Sequence, residues 1–304
     1  MRWQELSQAG QVPGPRSSHA IASTDGKLYL FGGELQPRVP LPADTYCYDL
    51  EQQQWSLLET KGCCPGPRVA ATFAAIGPKL YLYGGRTGVD MTEGAKSDLY
   101  VFDTEGNEWQ PVAVSEGSPQ PPARSYHSMA AAPSQGKLYV FGGCGSAGRL
   151  SDLWCFNTNS STWQQLASSD AIHPRGGSVL VAAADGLQLF LLGGFNPSVP
   201  SGAELTDCHV FDTATNTWSC HEACKNPTPA AAAAAGEGEG VTKDSLAMEL
   251  GRSVFGAVLH SSGKAGGSGC GECEHSEHVV TFGGEVAPSD KGHAGEEGHT
   301  GGGF

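Results

Sequence analysis

Short apolar runs recur along the chain, and each of them ends in a pair of glycines. The pairs are Gly32-Gly33, Gly84-Gly85, Gly142-Gly143, Gly193-Gly194 and Gly283-Gly284. The first four follow one another at intervals of about 50 residues, a period typical of repeat architectures. The runs are rich in Leu, Tyr, Val and Phe and show little helical periodicity, so they predict β-strands.

The repeated unit has the same parts in the same order. An arginine opens it, a strand of small residues follows, and a turn containing Gly leads to the apolar run and its Gly pair. An aromatic, Asp-rich strand comes next, and a tryptophan closes the unit. The opening arginines are Arg16, Arg68, Arg124, Arg175 and Arg252, and the closing tryptophans are Trp55, Trp109, Trp163 and Trp218. Four short strands joined by tight turns predict one blade of a β-propeller.

The Gly pair and the Trp each have a physical reason in such a blade. We expect the apolar run to lie near the crowded axis, where only Gly lets the backbone turn at positive φ with no Cβ in the way. We expect the Trp to lie on the outer strand and to cover the seam between neighbouring sheets with a large apolar ring.

The pattern predicts a single all-β propeller domain over residues 1–304. An early stretch around Trp3 resembles the end of a unit without its beginning, which predicts a strand that closes the ring. We interpret residues 261–269 as an insertion at a hairpin tip. The predicted parts are a closing strand at 1–9, blades at 10–60, 61–115, 116–170 and 171–224, a flexible Ala/Gly/Glu insertion at 225–250, and an incomplete fifth blade at 251–304.

Charge and composition narrow the function classes. The net charge of −14 argues against nucleic acid as a partner, because phosphate binding needs a basic face. The N-terminus has no apolar signal region, and no apolar run is long enough to span a bilayer. Several of the ten cysteines lie inside predicted strands, which favours free buried thiols over disulfides. We therefore expect a cytoplasmic protein, with the nucleus as a second location.

The residues directly after the Gly pairs are the first place to look for a site. In a propeller these loops gather around the central channel on one face, although they are far apart in sequence. The convergent residues are Glu34, Arg86, Cys144, Phe195 and Glu285.

The loop after the fifth Gly pair differs from the others in its metal-ligating residues. Glu285, Asp290 and His293 supply two carboxylates and one imidazole, a set that suits a divalent metal such as Fe(II). The alternative is a solvated acidic loop that happens to hold a histidine.

A second cluster consists of Cys270, Cys273, His275 and His278. A Cys-x2-Cys pair with two nearby histidines can bind zinc, but these histidines follow the second cysteine too closely for a relaxed tetrahedral site. An unstructured thiol-rich hairpin tip is the alternative.

The repeated unit closely resembles the kelch repeat, and the resemblance covers nearly the whole chain. Within that family the chain looks like the plant specifier-type proteins, which include the nitrile-, epithio- and thiocyanate-forming proteins and their specifier-like relatives. The matching stretches include PRSSHAI, FGGELQPRVP, YGGRTG, ARSYHSM, VFGGCGSAGRLSDLW and FGGEVAPSDKGH. The resemblance implies six blades in the intact protein, of which this chain holds four and part of a fifth, an incomplete ring.

The resemblance also implies a function. Specifier proteins use Fe(II), held by a Glu-Asp-His set in this loop, to divert the aglucone that a separate thioglucosidase releases from a glucosinolate towards nitriles. Glu285 and His293 match the family spacing, whereas Asp290 is displaced by one residue, as in the specifier-like relatives. Arg86 and Arg124 become candidates for holding the sulfate of the substrate, because a guanidinium fork suits that geometry. A structural ion pair is the alternative for each, above all for Arg124, because an arginine opens every unit.

A kelch interaction scaffold, whose mouth loops bind another protein, is the second functional hypothesis. The sequence assigns no catalytic residue and leaves open whether the chain is an enzyme. It also leaves open the substrate, the protein partners and the oligomeric state.

Overall fold

The fold is an all-β propeller ring built from four blades and one further hairpin. The computed structural model describes residues 5–6, 8–88, 94–199 and 205–220, together with the backbone of two strands at 256–262 and 276–282. The predicted fold class is therefore confirmed. The predicted total of six blades stays a prediction.

The first two blades are five-stranded sheets. The first contains β1 (Ala9–Gly10), β2 (Ala20–Thr24), β3 (Lys27–Phe31), β6 (Thr45–Asp49) and β7 (Gln54–Leu57), and a separate small hairpin of β4 (Glu34–Gln36) and β5 (Val39–Pro40) rises from its Gly pair. The second contains β8 (Lys61–Gly62), β9 (Thr72–Ile76), β10 (Lys79–Tyr83), β11 (Leu99–Asp103) and β12 (Glu108–Pro111).

The third and fourth blades are four-stranded sheets. The third contains β13 (Ser128–Ala132), β14 (Lys137–Gly145), β15 (Gly148–Asn157) and β16 (Thr162–Gln165). The fourth contains β17 (Val179–Ala182), β18 (Gln188–Leu192), β19 (Cys208–Asp212) and β20 (Thr217–Cys220). The hairpin is formed by β21 (Gly256–Ser262) and β22 (Ser276–Phe282), which pair antiparallel.

The strand nearest the axis is the small-residue strand, which corrects one expectation from the sequence. The innermost strands β2, β9, β13 and β17 contact one another from blade to blade, and β21 lies beside β17. The apolar run is second from the axis in every blade. The sheets converge at the axis, so Ala and Ser fit there, whereas the larger Leu, Tyr and Phe fill the wider space between blades.

The closing tryptophans join neighbouring blades, as the sequence predicts. Trp109 of the second blade is fully buried, and its ring lies 5.2 Å from that of Phe31 in the first blade. Trp163 and Trp218 make the same contact with the blade before each of them, at 5.2 Å from Tyr83 and 5.8 Å from Phe141. Each of these three seams therefore contains an aromatic pair. The rings are tilted or edge-on to each other, and aromatic pairs prefer such arrangements to face-to-face stacking.

Some of the remaining sequence predictions concern residues that the structure describes, and others fall outside them. The described cysteines, which include Cys47, Cys155 and Cys208, are free thiols, as predicted. In the described part of the chain no helix is long and apolar enough to cross a bilayer. Most of the predicted closing strand at 1–9, the insertion at 225–250 and most of that at 261–269 lie outside the described residues. At the end of the predicted closing strand, Ala9 pairs in parallel with Gln54 of β7.

Candidate functional site

The residues after the first four Gly pairs meet at one rim of the channel, which we call the mouth. In each blade this residue forms a two-hydrogen-bond bridge with the residue that follows the opening arginine. The bridges join Glu34 to Ser17, Arg86 to Val69, Cys144 to Ser125, and Phe195 to Gly176. The four residues that the sequence groups together are thus held by the same backbone contact.

A chain of backbone amides links the blades just inside these bridges. The Ala70 amide donates to the Ser18 carbonyl at 2.8 Å, the Tyr126 amide to the Ala70 carbonyl at 3.1 Å, and the Gly177 amide to the Tyr126 carbonyl at 2.8 Å. All four residues have positive φ, between 52° and 63°. The αL conformation turns each inner strand so that its amide and carbonyl face the neighbouring blades.

Glu34 is a buried carboxylate at the first-blade side of the mouth. Only 3% of the residue is exposed. Its Oε1 accepts a hydrogen bond from the Ser18 hydroxyl at 2.7 Å, and its Oε2 accepts one from the Arg38 amide in the β4–β5 hairpin. The carboxylate is thereby satisfied within its own blade, and it fixes the position of both Ser18 and the hairpin.

Arg86 lies on the second-blade side and has no exposed surface. Its guanidinium carbon is 5.9 Å from the centre of the Tyr126 ring, within reach of a cation–π contact. The structure therefore brings this predicted substrate-binding residue to the mouth, but beneath the ring of Tyr126.

Cys144 and Arg149 form the third-blade side of the mouth. They are directly paired across the β14–β15 hairpin. Burial raises the pKa of the Cys144 thiol, and the guanidiniums of Arg149 and Arg86 partly offset that rise. At neutral pH the thiol is therefore protonated, and it is a small apolar neighbour of two cations rather than a thiolate.

Arg149 is a mouth residue that the sequence reasoning missed. It is partly exposed, its Nε donates to the Phe195 carbonyl at 2.8 Å, and its guanidinium carbon lies 4.8 Å from the centre of the Phe195 ring. The signal was present in the sequence, because a short Gly-flanked turn follows Cys144. A hairpin with that turn places Arg149 opposite Cys144.

Arg124 lies inside its blade, where its guanidinium is paired with an aspartate. Its two Nη atoms pair with the two carboxylate oxygens of Asp152 at 2.8 and 2.7 Å, and Nη1 also donates to the Gly142 carbonyl at 2.9 Å. The residue is fully buried. This geometry supports the structural alternative for Arg124, because its fork is already occupied by a carboxylate.

The same ion pair recurs in the flanking blades. Arg68 pairs with Asp98, and Arg175 pairs with Asp207. In both cases the arginine also donates to the first glycine of the pair in its own blade, at 2.9 and 3.0 Å. The opening arginine thus fixes the Gly pair to the start of the aromatic strand.

His127 is buried just below the mouth. Its Nε2 lies 2.6 Å from the Thr72 hydroxyl, and its ring meets the Tyr83 ring edge-on at 5.3 Å. Burial, together with the nearby Arg124 charge, lowers the pKa of His127 to about 3. The imidazole is therefore neutral at physiological pH and links the innermost strands of two blades.

A family profile described as the KLHDC2/KLHL20/DRC7 Kelch-repeats domain matches residues 18–236, which is more than half of the chain. The protein belongs to the kelch-repeat family. The first four Gly pairs, the opening arginines Arg68, Arg124 and Arg175, and the seam tryptophans lie within the matched region.

Curated relatives agree with this assignment and include a specifier-type protein. The chain is 32% identical over 234 residues to the N-(sulfonatooxy)prop-2-enimidothioate sulfolyase of Thlaspi arvense, an alignment that covers 71% of this chain and 65% of that protein. It is 28% identical to Kelch domain-containing protein 3 of Homo sapiens, over 69% of this chain and 58% of the relative. The chain therefore spans less than two thirds of each, although the resemblance to the specifier-type kelch proteins is confirmed.

The predicted metal ligands cannot be placed in the fold. Glu285, Asp290 and His293 lie outside the described residues, as do Cys270, Cys273 and His275 of the second cluster, and His278 falls in β22, of which only the backbone is described. Within the described ranges no group of three or more His, Cys, Asp or Glu side chains is arranged to hold a metal ion. Both metal sites remain predictions.

Proposed function

We propose that this kelch protein binds a small sulfated or similarly anionic molecule at its mouth and acts on it as a specifier-like protein. In that role it diverts aglucones released from glucosinolates towards nitriles. The observation that carries the proposal is the pair of guanidiniums beside Cys144, one of them partly exposed, at the rim where the loops of four blades meet. The Thlaspi arvense relative is named for a sulfonatooxy substrate and a sulfolyase reaction, which supports the same ligand class.

The mouth can orient such a ligand through its own residues. Arg149 offers N–H donors at the rim, and the Phe195 ring beneath it supplies an apolar surface for the part of the ligand that carries no charge. Cys144 adds a small uncharged wall. A guanidinium held by a backbone carbonyl and an aromatic face loses little freedom when it binds an oxyanion, which favours tight positioning.

Fe(II) is the proposed cofactor. Two carboxylates and an imidazole are a donor set that suits Fe(II), and Glu285, Asp290 and His293 would hold it. When bound, the metal would supply a Lewis-acid contact to the sulfur or nitrogen of the ligand. A thioglucosidase is the partner that would deliver the ligand, and the cytoplasm, with the nucleus as a second location, is the proposed location.

Sulfate titration tests the ligand class. The melting temperature of the full chain is measured in sodium sulfate and in sodium chloride at matched ionic strength, for wild type, Arg149→Met and Arg38→Met. Arg38 is an exposed arginine on the first-blade hairpin and controls for the lost charge. Sulfate stabilises most proteins because it is excluded from their surface, so a rise in melting temperature alone does not show binding. The test is therefore the difference in that rise between the variants. We expect a saturable, sulfate-specific rise in wild type and Arg38→Met that Arg149→Met lacks; an equal rise in all three would contradict the proposal.

Iron content and product analysis test the reaction. Stoichiometric iron in the wild type, lost in both Glu285→Ala and His293→Ala, is the expected result. In the presence of a thioglucosidase and a glucosinolate, wild-type protein with Fe(II) should raise the share of nitrile over isothiocyanate. An unchanged product ratio would contradict the specifier hypothesis. The anion site is tested separately by the sulfate titration.

An interaction scaffold is the second candidate, and one observation favours it. The β4–β5 hairpin at the mouth exposes Leu35 and Val39, at 62% and 53% of their surface. Two exposed apolar side chains on one hairpin would offer a partner protein an apolar contact. Under this hypothesis Leu35→Glu with Val39→Glu abolishes co-purification of a defined partner and leaves the sulfate response intact.

A further inference from the structure

Tyr126 occupies a position where the other described blades carry small residues. The equivalent αL position holds Ser18, Ala70 and Gly177, and the φ of Tyr126 is 53°. Positive φ is tolerated by Gly and disfavoured for a large side chain, because the Cβ approaches the following carbonyl. The fold requires αL at this position but does not require a ring, so the Tyr carries a local conformational cost that a small residue would reduce.

The phenol of Tyr126 reaches back across the mouth to the first blade. It is hydrogen-bonded to the Ser18 side chain, although Ala70 lies between the two residues in the chain of amides. Ser18 also donates its hydroxyl proton to Glu34, so the serine links the Tyr126 phenol to that carboxylate. Burial raises the pKa of Tyr126, the Glu34 carboxylate adds to that rise and Arg86 opposes it, so the phenol stays protonated.

The ring of Tyr126 packs against the Arg86 guanidinium at the mouth. Tyr126 is partly exposed, whereas Arg86 beneath it has no exposed surface. The guanidinium carbon is 5.9 Å from the ring centre. A hydrogen bond to Ser18 holds the phenol end of the side chain, and the Gly177 amide, which donates to the Tyr126 carbonyl, holds its backbone. A partly exposed ring tethered against a fully buried cation is positioned to limit access to it.

We infer that Tyr126 is a specificity-determining residue of the mouth, whose ring shields the Arg86 guanidinium from small inorganic anions. The buried charge is then open only to a ligand whose apolar part displaces or stacks on the ring, while small oxyanions reach Arg149 alone. The inference rests on the proposed anion-binding function of the mouth, and it assigns to that site a selection for anions that carry an apolar group.

Sulfate binding by Tyr126 variants tests the shield. Apparent dissociation constants for sodium sulfate are taken from the saturable rise in melting temperature, against sodium chloride at matched ionic strength. Tyr126→Gly and Tyr126→Ala remove the ring, the first with relief of the αL strain and the second without. Both should bind sulfate about tenfold more tightly than wild type, the gain expected for one added charge-assisted hydrogen bond. Tyr126→Phe keeps the ring and should restore the wild-type value.

Two controls separate shielding from strain and from general loosening. Ala70→Gly relieves the same backbone strain in the second blade without uncovering Arg86, and its sulfate affinity should equal that of wild type. Adding Arg86→Met to Tyr126→Gly should abolish the gain.

The inference is overturned if Tyr126→Gly and Tyr126→Ala bind sulfate no more tightly than wild type, or if the gain survives Arg86→Met. Failure of the proposed function has a different signature, since Arg149→Met would then leave wild-type sulfate binding unchanged. Circular dichroism of each variant confirms that the affinities compare folded proteins, and the Ala and Phe variants carry the comparison if the Gly variant is unstable.

Discussion

The arginines that open the second, third and fourth blades recur with the same partners, whereas the arginines at the mouth each occur once. Arg68, Arg124 and Arg175 are each buried, and each forms a two-point ion pair with an aspartate and a bond to a Gly-pair carbonyl. Arg86 and Arg149 have no counterpart at the same position in the other described blades, where the sequence places Glu34, Phe195 or a turn. A position that repeats solves a problem of the fold, whereas a position that occurs once is a candidate for a role of its own.

The same contrast applies to the inner αL position. All four described blades require positive φ there, which is a property of the repeat. Only the third blade places a large ring at that position, which is a property of the mouth. The repeat thus sets the backbone, and the exceptions to the repeat mark the candidate site.

The sharpest test of this comparison removes one arginine of each kind. Arg124→Met leaves the Asp152 carboxylate without its buried partner, so we expect a loss of about 3–5 kcal/mol in the free energy of unfolding. Arg149→Met removes a partly exposed charge, and we expect a change within about 0.5 kcal/mol. Urea denaturation of both variants measures the difference, and equal losses would erase the distinction between the two classes.

Gly143→Ala tests a repeated position of a different kind. Gly143 has a φ of 94°, and a Cβ there would lie 2.7 Å from the Ser125 carbonyl oxygen. We expect a loss of about 2 kcal/mol, because strain and steric overlap add. Gly66→Ala is the matched control, since a Cβ at Gly66 meets no atom within 4 Å. A similar loss for both glycines would mean that the Gly pair is not needed for the turn.

The pH dependence of stability tests the role of His127 below the mouth. The pKa of His127 is lowered to about 3 by burial, so between that value and its ordinary pKa of 6.5 the unfolded chain binds more protons than the folded one. Stability should therefore be fully present above pH 6.5 and fall on acidification, with a slope of up to about 1.4 kcal/mol per pH unit.

The contribution of His127 is isolated by comparing two variants. His127→Gln should flatten the acid limb of the stability curve. His173→Gln, at an exposed position, should leave that limb unchanged. An acid limb of equal slope in both variants would show that other groups carry the dependence.

The smallest expected effect is a gain. Ala70→Gly relieves an αL conformation at φ 53° while removing only a methyl group. We expect stabilisation by about 0.5–1 kcal/mol, because relief of the left-handed strain exceeds the added entropy of Gly in the unfolded chain. A loss of stability on thermal unfolding would show that packing of the methyl group outweighs the strain.

Most of the fold could be predicted from the sequence, because a strand pattern that is weak in one unit becomes specific when it recurs in four. Strand order within a blade, the turn at each Gly pair and the aromatic seams follow from residues that recur in register. The position of the strands relative to the axis did not follow, since it depends on how closely neighbouring sheets approach. That distance selects Ala and Ser over Leu and Tyr, and it is a property of the closed ring.

Only part of the candidate site could be predicted from the sequence. Arg86 was found because it follows a Gly pair, and Arg124 was included because it has the same chemistry. Sequence does not show that Arg124 meets Asp152, because the two are far apart along the chain. Arg149 was missed because its place opposite Cys144 depends on the register of one hairpin.

The sequence by itself determined the family, the blade as a repeating unit and the face on which a site can lie. These depend on local chemistry: glycine at positive φ, alternation in strands and an aromatic ring at each seam. Only the tertiary structure decided which arginines pair with an aspartate inside a blade and which lie at the mouth. Burial and ion pairing are set by residues that the ring brings together, so Arg124 is held by Asp152, Arg86 lies beneath Tyr126, and Arg149 reaches the rim.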